Sequence, residues 1–298
     1  MTYRPRRSAL YMPGSNARAL EKAKTLPADC LILDLEDAVA PDMKSAARGL
    51  VALAVGGGGY GMRELVIRVN AMNTAYFADD FAAAVRARPD AILIPKVERP
   101  DEVHRIAREL TLSKAPDSLR IWAMMETPKA VLNAGAISAA ARENPDCRLD
   151  LFVIGTNDLA KETRARPLPG RGPMLPWLAT FVAAARAHGL EILDGVYNDI
   201  ADAAGLRLEC EQGRDFGMDG KTLIHPGQIE VCNEVFSPDA DEIKWARTVI
   251  AAFDQPQNRN AGAIQIAGRM VERLHADMAR RVADVADALA TRAQGGGV

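Results

Sequence analysis

The chain of 298 residues has little of what most directly marks a function. It holds four histidines and four cysteines, and Cys30, Cys147, Cys210 and Cys232 stand far apart with no CxxC pair. That spacing argues against a zinc site or a disulfide framework and fits reduced thiols in a cytoplasmic protein. An excess of one charge is missing too. Lys and Arg number 37 against 39 Asp and Glu, for a formal net charge of −2, so no polyanion partner is indicated and nucleic acid is not expected. No apolar run approaches the ~18 residues of a membrane span. The N-terminus, Met1-Thr-Tyr-Arg-Pro-Arg-Arg7, lacks the apolar centre of a signal peptide. No GxGxxG follows the first apolar segment, which weighs against a dinucleotide fold. Gly56–Gly59 lacks the Lys-Ser/Thr of a phosphate-binding loop and reads as a flexible helix-to-strand connection.

What is present is a rhythm. Composition is that of an ordinary globular protein, 48% hydrophobic and 26% charged. Short apolar runs recur at Ser8–Met12, Cys30–Asp37, Leu65–Asn70, Ala91–Val97, Ile121–Glu126, Leu149–Gly155, Glu191–Tyr197 and Met218–His225. Alanine-rich amphipathic segments lie between them, among them Phe77–Arg86, Val103–Leu110, Ala130–Ala141 and Leu178–His188. Eight strand-helix units predict parallel strands with helical crossovers. Closed on themselves they make a (β/α)₈ TIM barrel over residues 1–236, with an open doubly wound sheet as the rival.

Residues 237–298 exceed what a barrel needs. Ser237-Pro-Asp starts a helix through Phe253, Asp254 to Gly268 reads as a loop, and a last helix runs from Met270 to about Arg292 before a Gly295-Gly-Gly tail expected to be unstructured. This C-terminal helical extension is a candidate lid or subunit contact.

The polar residues collect where the strands end. Arg120-Ile-Trp-Ala-Met-Met-Glu-Thr-Pro-Lys129 is the clearest case: a run with no polar face stops on Glu126, then Thr127 and Pro128 open a helix. Other runs deliver Asp34, Glu36 and Asp37, Arg68 and Asn70, Lys96, Asn157 and Asp158, and Asp194. In parallel α/β proteins that edge binds ligands. Several carboxylates on one rim repel unless a cation neutralises them, and oxygen ligands without His or Cys favour Mg²⁺ or Mn²⁺ over zinc. Arg68 beside such an ion could grip a substrate carboxylate with two hydrogen bonds. Lys96 is either a substrate contact or a balancing charge, and Asp194 reads as structural. These types together suggest an enzyme acting on a small oxo- or hydroxy-acid through an enolate.

Arg7-Ser8, Tyr11-Met-Pro-Gly14, Asp34-Leu-Glu-Asp-Ala-Val39, Ile67-Arg-Val-Asn70, Ile94-Pro-Lys-Val97, Met125-Glu-Thr-Pro128, Gly155-Thr-Asn-Asp-Leu159 and Asp219-Gly-Lys-Thr-Leu-Ile-His-Pro226 follow in order. The set resembles the citrate lyase β-subunit-like branch of the HpcH/HpaI aldolase family, from about Arg7 to Phe253. The resemblance implies a (β/α)₈ barrel, a magnesium ion, and C–C cleavage of a 3-hydroxyacyl thioester such as malyl-CoA or citramalyl-CoA. Carried over by residue, it makes Glu126 and Asp158 the metal ligands and Arg68 the substrate-carboxylate clamp. Glu36 and Asp37 would hold the metal's waters, and one of them would take the hydroxyl proton. It also implies a homo-oligomer, a trimer or its multiple, closed by a lid carrying an acid at Glu272.

Two departures stand out. Asn157 occupies a position where relatives carry Glu, and Glu272 one where they carry Asp. A carrier-protein thioester in place of CoA, hydrolysis of the thioester in place of C–C cleavage, and a non-catalytic barrel that binds an oxo-acid or acyl-CoA are the competing readings.

Overall fold

Each of the eight apolar runs forms a strand, in a computed structural model that describes residues 3–144 and 146–295. In chain order the elements are β1 (Ser8–Pro13), α1 (Ala17–Ala23), β2 (Cys30–Asp34), α2 (Lys44–Gly57), β3 (Glu64–Arg68), α3 (Phe77–Ala87), β4 (Ala91–Ile94) and α4 (Pro100–Leu112). They continue with β5 (Arg120–Met125), α5 (Pro128–Glu143), β6 (Leu149–Ile154), α6 (Thr156–Thr163), α7 (Leu175–Ala187), β7 (Glu191–Asp194), α8 (Ala203–Asp215), β8 (Gly220–Leu223) and α9 (Ile229–Val235). Among the described residues the eight strands pair in sequence order, all parallel, and β1 closes on β8. The (β/α)₈ barrel is therefore the fold, and the open sheet is ruled out by the β1–β8 pairing.

The strands carry apolar residues on both faces, as the sequence pattern requires of a sheet covered on both sides. One set, including Ile32, Val66, Leu93, Trp122 and Val153, fills the barrel interior; the alternate set, including Leu31, Ile67, Ile92 and Phe152, lies under the helices. The amino-terminal end is closed by ions. Arg6 forks onto Glu64 (2.7 and 2.7 Å) and also reaches Asp150 at 2.7 Å and Glu191 at 2.8 Å. Its guanidinium lies over the Trp122 ring, 5.3 Å from the centroid.

Most strands stop short of the polar ends of their runs. Cys30–Asp37 was expected as one strand, but β2 ends at Asp34, because that carboxylate folds back to accept the backbone N–H groups of Glu36 (2.8 Å) and Ala38 (2.9 Å). Such a local acceptor competes with the sheet for the backbone donors.

Residues 237–295, together with residues 3–5, form a second unit by contacts, apart from the barrel unit Arg6–Phe236. Its first helix, α10 (Ala240–Asp254), is capped by Asp239, whose side chain accepts from the Glu242 N–H at 2.8 Å. The expected loop over Asp254–Gly268 and helix from Met270 are corrected. Strands β9 (Ala263–Ile266) and β10 (Arg269–Glu272) form an antiparallel hairpin, and the last helix, α11, runs Arg273–Gly295. Ala267 and Gly268 both have positive φ (49° and 78°), the two-residue turn whose twist suits a hairpin, and Ile264 and Ile266 alternate with exposed neighbours. That period-2 signal was in the sequence and is short enough to miss. Gly295 ends α11, and residues 296–298 of the glycine tail lie outside the described residues.

Candidate active site

At the carboxyl end of the barrel, β2 and β3 place Asp34 opposite Arg68 in register. Arg68 is 5% exposed. Its Nε and Nη2 donate to Asp34 at 2.7 and 2.6 Å, and its Nη1 pairs with Glu36 at 3.0 Å and Asp37 at 3.3 Å. The Tyr11 ring of β1 stacks on the guanidinium, 4.8 Å from its centroid, and the buried Tyr11 hydroxyl has no hydrogen-bond partner among the described residues. Burial works against the Arg68 charge, but Asp34 and the surrounding acids outweigh it and hold the guanidinium protonated.

Glu36 and Asp37 differ sharply. Glu36 is buried, whereas Asp37 is exposed. Burial pushes the Glu36 carboxyl up to about 8; Arg68 opposes this, and the charges of Glu126, Asp37 and Asp34 add to it. The turn that carries both is held from behind by Lys44, whose ammonium donates to the carbonyls of Leu35 (2.9 Å) and Glu36 (2.7 Å) and to Asn70 Oδ1 (2.8 Å). Asn70 thus supports the turn by its side chain. Lys44 is a part of the site's frame that sequence reasoning missed, since on an amphipathic helix a lysine reads as surface.

Across the mouth, β5 ends and Glu126 follows. Thr127 caps α5 by accepting from the Ala130 N–H at 3.1 Å, and Pro128 occupies the first turn. Glu126 is 1% exposed. Burial pushes it up to about 7, with Lys96 and Arg68 pulling down and Asp158 pushing further up. Lys96 touches both candidate metal ligands: its backbone N–H donates to Glu126 Oε1 at 2.8 Å and its ammonium to Asp158 Oδ1 at 2.8 Å. Lys96 adopts φ of 53°, a left-handed conformation that side chains seldom take and that clusters at functional sites.

The fit to a divalent ion rests on the other two oxygens. Glu126 Oε2 and Asp158 Oδ2 accept no hydrogen bond from the described residues. Gly155 makes room beside them, because a Cβ there would lie 2.5 Å from Glu126 Oε2. Among the described residues there is no cluster of three or more His, Cys, Asp or Glu that could hold a metal. Two carboxylates nonetheless suit magnesium, which leaves its other positions to water and substrate. The residues fit the ion.

The remaining sequence candidates sit elsewhere. Asn157 faces Asn198, the two amides exchanging hydrogen bonds of 3.1 and 2.8 Å between the first turn of α6 and the loop after β7. Asp194 is fully buried and ion-paired to Arg171 (2.6 Å) and Lys221 (3.0 Å), with Lys221 also on Glu209 at 2.6 Å. Arg171 and Lys221 were not anticipated; a lysine inside an apolar strand end was the available signal. His225 Nδ1 accepts from the Gly227 N–H at 3.1 Å and caps a short turn. Glu272 belongs to the C-terminal unit, where it ends β10 and its N–H donates to His275 Nδ1 at 2.9 Å.

With this geometry in view, the likenesses to known proteins are informative. The chain is 49% identical over 286 residues to the (3S)-malyl-CoA thioesterase of Cereibacter sphaeroides strain KD131, covering 96% of each. It is 32% identical over 279 residues to the human mitochondrial citramalyl-CoA lyase, covering 91% of this chain and 82% of that one. The crystal structure of CitE from Mycobacterium tuberculosis in complex with magnesium, acetoacetate and coenzyme A superposes with a TM-score of 0.73 at 29% identity, over 95% of this chain and 99% of that one. Among the described residues no helix is long and apolar enough to cross a membrane. Residues 7–226 match the profile of the HpcH/HpaI aldolase/citrate lyase family, and the chain belongs to that family.

Proposed function

We propose that this chain is a magnesium-dependent enzyme that hydrolyses the thioester of a 3-hydroxyacyl-CoA bearing a free carboxylate, of the malyl-CoA type. The observation that carries the choice of hydrolysis is the 49% identity, over nearly the whole length of both chains, to a protein named (3S)-malyl-CoA thioesterase. Glu126 with Asp158 offers two uncommitted carboxylate oxygens, which supports the metal. When bound there, magnesium supplies positive charge that polarises an oxygen of the substrate. Arg68 is the cation nearest them on β3, but its fork is taken by Asp34. A substrate carboxylate would therefore meet it through Nη1, in place of Glu36 or Asp37, rather than in the two-bond grip expected from the sequence.

Glu36 is the proton acceptor in this reading. It is buried beside Arg68, and a carboxyl pushed up to about 8 exchanges a proton near neutral pH. It takes a proton from water as the water oxygen adds to the thioester carbon; the C–S bond then breaks and CoA leaves as the thiolate. Asp37, exposed at 3.3 Å from the same guanidinium, is the alternative acceptor. Glu272 is assigned to a lid over a neighbouring subunit's site in a homo-oligomer, and Glu272→Ala is expected to lower turnover without loosening Mg²⁺.

C–C cleavage is the second reading, favoured by the identity to citramalyl-CoA lyase. There the acceptor takes the hydroxyl proton of the substrate instead, the C–C bond opens to an oxo-acid and a thioester enolate, and a proton returned to the enolate carbon gives the acetyl thioester. Mass spectrometry of the purified protein with Mg²⁺ and (3S)-malyl-CoA separates the two. Malate with free CoA supports hydrolysis; glyoxylate with acetyl-CoA supports cleavage. Turnover only of a carrier-protein thioester, or none at all, overturns the CoA reading.

A further inference from the structure

Lys96 makes two bonds of different character to the two carboxylates that the proposed function assigns to the metal. The backbone half is fixed: with φ at 53° the amide N–H points to Glu126 Oε1 at 2.8 Å, and Glu126 is buried. The side-chain half is not. The ammonium reaches Asp158 Oδ1 at 2.8 Å from the end of four rotatable bonds, and this pair is partly solvated, with side chains 35% and 22% exposed. Burial works against the ammonium's charge, and the acids around it, Asp158, Glu126 and Glu36, outweigh that and hold its proton.

A divalent ion on these carboxylates and the Lys96 ammonium compete for one pair of anions. Like charges at contact range repel more strongly than a half-exposed ion pair attracts, since the first scales with a charge of two and the second is weakened by water. The ammonium is therefore the partner that yields, whereas the neutral backbone amide has no reason to move.

We infer that Lys96 is a two-part device in which the amide permanently orients Glu126, while the ammonium is a tethered counter-ion that magnesium expels from Asp158 and so frees to meet the anionic substrate. This rests on the metal reading of Glu126 and Asp158. It makes binding ordered: the metal first, then the anion. It also gives the lysine a role in both steps, as a guard of the acids and then as a contact for substrate.

The test needs no turnover. The full chain is treated with a small amine-acetylating reagent in EDTA or in increasing MgCl₂, and acetylation of Lys96 is read by peptide mass spectrometry beside Mg²⁺ calorimetry. Acetylation of Lys96 is expected to rise by about fivefold, the factor an ion pair of this exposure withholds. Its half-point should fall at the Mg²⁺ concentration that calorimetry gives. In Asp158→Asn the lysine should react at the high rate from the start and ignore Mg²⁺. Lys96→Met should bind Mg²⁺ about tenfold more tightly, because a competing cation is gone. Mg²⁺ heat in the wild type with unchanged Lys96 acetylation overturns the inference and leaves the metal reading standing. Absent heat, or equal heat in Glu126→Ala, overturns both.

Discussion

Arg68 grips both oxygens of Asp34, at 2.7 and 2.6 Å, and the same two oxygens hold the N–H groups of Glu36 and Ala38. One buried carboxylate thus sets the arginine and the turn that carries Glu36 and Asp37. Asp34→Asn leaves Arg68 without its main counter-charge, and urea unfolding should show a loss of about 3–5 kcal/mol. A loss within the error of the wild type would mean that Glu36 and Asp37 suffice. Arg68→Lys keeps the charge but not the fork, so kcat/KM should fall by about 100-fold with a much smaller change in stability.

Gly155 is required by its neighbour rather than by its own backbone. A Cβ there would meet Glu126 Cβ and Oε2 at 2.5 Å and Met124 Cε at 3.0 Å, and Glu126, 1% exposed, has little room to give way. Gly155→Ala is expected to cost about 1–3 kcal/mol and to weaken Mg²⁺ by at least about tenfold as Glu126 is pushed aside. Calorimetry that found wild-type Mg²⁺ affinity in a folded Gly155→Ala would contradict the placement of the ion on Glu126.

Arg6 and Arg68, both buried in the barrel, should separate cleanly. Arg6 joins Glu64, Asp150 and Glu191 at the end remote from the site. Arg6→Met strands those acids and should lower stability by about 3–5 kcal/mol in denaturant titration. Its Mg²⁺ affinity should stay at the wild-type value; a drop would tie the two ends of the barrel together.

Asp194 gives a pH dependence with a definite sign. Burial pushes this carboxyl up, but Lys221 and Arg171 outweigh it and hold it below the usual carboxylate range. A depressed folded pKa means that the stabilisation is fully present above the unfolded value, roughly pH 4 for aspartate, and is lost as pH falls through the folded one. Asp194→Asn should therefore be less stable than the wild type by a constant margin from pH 5 to 8, with the margin shrinking below pH 4. A margin that widened on acidification would show that the aspartate is not ionised in the fold.

The strand-helix alternation carried the fold because each apolar run had no polar face, and only a sheet covered on both sides uses such runs. The site edge was legible for a related reason: acids such as Glu126 and Asp158 end apolar runs, where a parallel sheet delivers side chains to its ligand edge. The hairpin Ala263–Glu272 was hidden because its strands are four residues long and half-exposed, too short for a period to stand out against the following helix.

Sequence by itself determined the eight strand-helix units and the residue types at their polar ends, since these follow from periodicity and from the chemistry of strand ends; that the sheet closes rather than staying open was decided by the β1–β8 pairing. Tertiary structure alone decided which of those residues meet. Asp34 and Arg68 are 34 positions apart and become neighbours through the β2–β3 register; Lys96 and Asp158 are 62 apart and meet across the mouth. Spacing along the chain carries no trace of such pairs, because barrel closure brings strand ends together whatever the length of the helices between them.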